Sequence, residues 1–118
     1  MSQKLHNPKV DRSQAEKILR EVPSDNAFYF YIDIGRPTGV SAKSIRELTE
    51  RMKTVDPKSI EFHVVRGDFD KWFIMLGDHS LARDFGKLRD LRLRGAALRD
   101  RASNLLNSRY KTLTSSAA

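Results

Sequence analysis

The chain contains no cysteine, which removes disulfide scaffolds, thiol nucleophiles and every Cys-ligated zinc or iron–sulfur centre. Its three histidines, at positions 6, 63 and 79, are too scattered for a His-based metal site, so neither metal nor cofactor is expected. No stretch approaches the roughly 18 consecutive apolar residues that a membrane span needs. The opening Met1-Ser2-Gln3-Lys4-Leu5-His6-Asn7-Pro8 has no apolar run after its first lysine, unlike a secretory signal. A cytoplasmic protein fits these absences. What remains is 118 residues, 39% hydrophobic and 31% charged, enough apolar material for one core and too little chain for two.

Acidic residues are scarce at one end. The net charge is +7, and residues 83–118 hold nine Lys and Arg against three Asp, whereas residues 1–82 are nearly balanced at thirteen against twelve. Seven of those nine are arginine, whose planar fork suits phosphates and carboxylates. An anionic partner is one explanation; a solvated basic face that keeps a small protein soluble is the other.

Residues 1–10 read as a flexible leader, 11–113 as a single domain and 114–118 as a frayed tail. Ser13-Gln14-Ala15-Glu16 has capping-box form and predicts a short helix over about 13–21, stopped by Pro23. Residues 27–34 alternate, with Phe28, Phe30, Ile32 and Ile34 on one face and Tyr29, Tyr31 and Asp33 on the other, which predicts a strand. Residues 59–65 repeat the pattern and predict a second strand, Ile60, Phe62 and Val64 inward. Between them Ile45, Leu48, Met52 and Val55 define an amphipathic helix that ends before Asp56-Pro57. The expected fold is therefore α+β: a β-α-β unit with a small sheet, then three helices. Those helices start at Asp68, at Asp78 or Ser80, and near Gly95, with Gly77 as a left-handed cap. The unmated strand edges call for a covering helix or for a dimer that continues the sheet.

Three constellations could carry chemistry. The segment Gly35-Arg36-Pro37-Thr38-Gly39-Val40-Ser41-Ala42-Lys43-Ser44 leaves a strand and opens a helix, where Arg36, Thr38, Gly39 and Ser41, with Lys43, could hold an anion. It matches neither phosphate-binding glycine motif, and turn dihedrals plus a Ser44-Ile45-Arg46-Glu47 capping box explain the same residues. The outward face of the two predicted strands would gather Tyr29, Tyr31, Asp33, Glu61 and His63, a surface suited to acid–base work or base stacking; a covering helix would instead make it core. Finally Arg89, Arg92, Arg94, Arg99 and Arg101 crowd around Gly95 as a non-specific nucleic-acid footprint, with no reading motif beside it. Arg66-Gly67-Asp68 is a chance match to an adhesion signal, and Trp72, on an apolar stripe, is core. No nucleophile–His–acid set occurs, which points away from an enzyme.

Phe28-Tyr29-Phe30-Tyr31, Gly35 with Thr38-Gly39, Ser41-Ala42-Lys43-Ser44, Ser59-Ile60-Glu61-Phe62-His63, Arg66-Gly67-Asp68-Phe69 with Trp72, and Leu76-Gly77-Asp78 with Leu81-Ala82 together resemble a family of small archaeal proteins of unknown function. The resemblance covers roughly residues 25–110. It implies an archaeal cytoplasm as the setting and no particular activity or functional residue. The leading expectation is a non-enzymatic module that docks on nucleic acid or a nucleoprotein surface through its basic C-terminal helices. A protein–protein adaptor or regulatory domain, homodimeric or meeting an acidic protein, is the alternative, and a phosphate or small-ligand binder at 35–44 is the third.

Overall fold

The computed structural model describes residues 10–118; of the leader expected at 1–10 only Val10 is among them, half-buried against the core, and the rest lies outside the described residues. The fold is α+β, 67% helical, with one two-stranded antiparallel sheet and six α-helices among the described residues. In order these are α1 (Arg12–Leu19), β1 (Phe28–Asp33), β2 (Arg36–Ala42), α2 (Ile45–Met52), α3 (Pro57–Arg66), α4 (Asp68–Leu76), α5 (His79–Asp90) and α6 (Gly95–Ala117).

The β-α-β unit is not formed. The chain reverses at Ile34-Gly35, where Gly35 takes φ +71°, and residues 36–42 return as β2 alongside β1. Ile34, expected inside, is therefore 77% exposed at the turn, while Phe28 and Phe30 are buried as the alternation requires. The register slips between Tyr29 and Tyr31, and Gly39, at φ +84°, lies in the extra length of β2. Thr38 closes this bulge: its hydroxyl donates to the Phe30 carbonyl at 2.9 Å and accepts from the Val40 amide at 3.0 Å.

Residues 59–65, expected as a strand, form most of α3. Asp56-Pro57 begins this helix as well as following α2: the Asp56 carboxylate accepts from the Lys58 amide at 2.9 Å, and Pro57 fills the first turn, where its missing N–H costs nothing. Ser59, Ile60, His63 and Val64 are its buried residues, a helical spacing. Five helices thus follow the hairpin, not three after a second strand.

Other local signals hold with small shifts. Asp11, not Ser13, caps α1, accepting from the Gln14 amide at 2.8 Å. Ser44 caps α2, and the Glu47 carboxylate turns back to the Lys43 amide at 2.8 Å. Gly67 and Gly77, at φ +74° and +104°, end α3 and α4. Asp78 opens α5 and Arg109 clasps it from α6 at 2.8 and 3.0 Å, the pair being almost fully buried. The last helix runs to Ala117, past the boundary expected at 113. The core joins β1 to α4 and α5 through aromatic contacts: Phe28 stacks on Phe69 at 4.6 Å, and Phe73 meets Phe85 edge-on at 5.0 Å. Trp72 is core as expected, its indole N–H donating to the Asn26 carbonyl at 2.8 Å.

Candidate binding surface

The arginines around Gly95 do not share one fate. Arg89 lies half-buried with two nitrogens on Asp70 Oδ2, at 3.0 and 2.7 Å. Asp70 is buried enough that desolvation pushes its carboxyl up, and Arg89 opposes that shift. Arg99 turns inward and donates to the Val55 carbonyl. Arg92, Arg94 and Arg101 are exposed, and none forms an ion pair among the described residues. Arg92 occupies the left-handed region, φ +54°, in the short link between α5 and α6. At the start of α6 no side chain of the link caps the helix; the Glu61 carboxylate, from α3, accepts from the Gly95 amide at 2.8 Å. Nothing local in the sequence signals that cap, because its donor and acceptor lie 34 residues apart.

The candidate anion residues sit on the hairpin. Arg36 is exposed at the start of β2, Thr38 and Gly39 build the bulge, and the Ser41 carbonyl accepts from Arg51 Nε at 3.1 Å. The segment is a strand rather than a loop, and the amides of Lys43 and Glu47 at the mouth of α2 are already held by Glu47 and Ser44 side chains.

His63 is committed at both nitrogens. Nε2 accepts from the Tyr31 amide at 2.8 Å, so Nδ1 carries the proton and donates to Asp68 Oδ2, also at 2.8 Å. Burial lowers its pKa, against the pull of the Asp68 bond and charge, with Arg66 lowering it further. One turn earlier, Ser59 donates to the Tyr31 carbonyl at 2.8 Å. Ser59 and His63 together therefore satisfy both backbone groups of Tyr31, and a helix side covers the open edge of β1. Arg66-Gly67-Asp68 is the turn that makes this possible: Arg66 Nε donates to Asp68 Oδ2 at 3.0 Å, and its guanidinium lies 4.9 Å from the Phe62 ring centroid.

Tyr29 is 47% exposed and Tyr31 half-buried, so α3 does not close over them. They line a groove of about 610 Å³ between the hairpin and the α3–α4 turn, with Phe62, Arg66, Lys71 and the edge of Trp72. Asp33 and Glu61 do not join that groove; they border the next concavity, beyond Ile34. Among the described residues no three His, Asp or Glu side chains assemble a metal site, and no helix is long and apolar enough to cross a membrane.

Fold and surface define a small α+β domain with a basic, aromatic-lined exterior. No protein-family model, curated protein or solved structure matches the chain, so the resemblance described above rests on its motifs alone.

Proposed function

We propose that this chain is a non-enzymatic module that binds nucleic acid, or the nucleic-acid part of a nucleoprotein, in an archaeal cytoplasm. The observation that carries the reading is the contrast within one arginine cluster: Arg89 is spent on Asp70, whereas Arg92, Arg94 and Arg101 are exposed and form no ion pair among the described residues. A cation without an internal partner holds a phosphate by counterion release, and its contribution weakens as salt rises.

Titrating duplex DNA and structured RNA at several salt concentrations tests this. Arg92→Gln, Arg94→Gln and Arg101→Gln combined should weaken binding at every sequence and flatten the dependence of log K on log salt by about 2 to 3, one phosphate per arginine. Absence of binding at the lowest salt, or binding that the triple variant leaves unchanged, overturns the proposal.

A second reading, an adaptor for an acidic protein or a second copy of the chain, is favoured by Ile34 and Val65, which are 77% and 72% exposed. Sedimentation of the nuclease-treated protein separates it: a dimer lost on Val65→Lys favours the adaptor, and a monomer at high concentration removes the homodimer.

A further inference from the structure

The groove beside Tyr29 is one part of a longer track. Ile34, Phe62 and Arg66 line both it and the concavity beneath the hairpin tip; Glu61 and Val65 line that concavity and a third, which holds Arg92 and Arg94. The outward side of α3 thus forms a continuous floor from the tyrosines of β1 to the link before α6. Seven Lys and Arg border the three concavities against five carboxylates. Three of those carboxylates are occupied, Asp68 by His63 and Arg66, Glu61 by the Gly95 amide and Asp33 by the Ile34 amide, and two of the cations, Arg66 and Arg89, are paired with Asp68 and Asp70.

At one end of this track the rings are both accessible and held. The Tyr29 hydroxyl donates to the Ser24 carbonyl at 2.7 Å, which fixes a half-exposed ring without burying it. Tyr31 follows on the same strand face, and Phe62 stands across the groove under the Arg66 guanidinium. A fixed aromatic surface flanked by cations takes a planar, electron-rich ring attached to a phosphate, and every base offers such a face once it is unstacked. In a duplex those faces are covered by their neighbours.

We propose that the track along α3 binds single-stranded nucleic acid, seating one or two unstacked bases against Tyr29, Tyr31 and Phe62 while the backbone runs past Arg66 and Lys71 toward Arg92 and Arg94. The inference rests on the nucleic-acid reading and adds to it the strand state of the ligand. An acidic peptide would meet the same cations but has no need of the rings.

The test uses the full chain with fluorescein-labelled 12-mers of rU and dT, a 12-base-pair duplex, an abasic 12-mer and polyglutamate, at low and moderate salt. Expected are tighter binding of rU and dT than of duplex or abasic strand, and a change in Trp72 emission on binding. Tyr29→Ala should weaken rU and dT by about 5- to 150-fold, the range of one lost base stack, and leave the duplex unchanged. Tyr29→Phe, which keeps the ring and loses the hydroxyl, should restore most of that affinity and so separates stacking from any loss of structure. Equal affinity for duplex and single strand, abolished only by changing Arg92, Arg94 and Arg101, overturns this proposal and leaves the broader one standing. Binding of polyglutamate as tight as that of rU overturns it in favour of an acidic peptide. No binding of any oligonucleotide overturns both.

Discussion

Protonating His63 would place a second N–H against the Tyr31 amide, because Nε2 is the atom that accepts from it. Folding therefore prefers the neutral ring, in agreement with a pKa lowered by burial. A folded-state pKa below that of the unfolded chain means stability that is complete above the unfolded value, about 6.5, and falls as pH drops below it, with a limiting slope of about 1.4 kcal/mol per pH unit for one proton. Asp70, raised by burial, acts in the opposite sense at lower pH, in the carboxylate range. The urea midpoint should consequently fall between pH 7 and pH 5.5. His63→Gln, which keeps an acceptor for Tyr31 without a titrating group, should largely remove that dependence; an unchanged pH profile would show that another group governs it. Neither bond was legible in sequence. Residues 59–65 fit alternation as well as a helical period, and only the neighbouring Tyr31 backbone makes sense of a buried Ser and a buried His one turn apart.

Among the elements, α3 replaces a third strand. Its Ser59 and His63 side chains meet the one N–H and one C=O that a pairing strand would otherwise take from Tyr31, while Ile60 and Val64 pack into the core. Ser59→Ala should cost about 1 to 3 kcal/mol, the penalty for a buried carbonyl left without its donor, read from the shift in thermal or urea unfolding. Asp78 performs a similar service between α5 and α6, capping the first and clasping Arg109 of the second. Asp78→Ala should cost about 3 to 5 kcal/mol because it leaves a buried guanidinium unpaired. Asp78→Asn, which keeps the acceptor for Leu81 but not the charge, should lose less, and equal losses would place the whole effect on the charge rather than the cap. The helices themselves were legible where an end carries a capping signal: Ser44 and Glu47 at the start of α2, Gly77 and Asp78 between α4 and α5. The hairpin was not, since Thr38-Gly39 reads as loop chemistry until the bulge is seen to need a residue at positive φ and a hydroxyl to close it.

Over the whole molecule, which measures 47 × 32 × 20 Å, the basic surplus of residues 83–118 is divided by packing. Arg89 and Arg109 meet Asp70 and Asp78, carboxylates from outside that segment, so part of the excess that composition reports is neutralised internally. The exposed Arg92 and Arg94 of the α5–α6 link lie at the end of the α3 track. Composition and periodicity by themselves determined the α+β class, the inward rings Phe28 and Phe30 of β1, the caps at Ser44, Gly77 and Asp78 and the positive end of the chain, because each depends on residues within a few positions of one another. Tertiary structure alone decided that β1 pairs with residues 36–42, that residues 57–66 turn helical against its edge, and which arginines of the cluster stay exposed. Those outcomes rest on partners tens of residues apart, such as Tyr31 with His63 and Arg89 with Asp70, whose meeting no local pattern encodes.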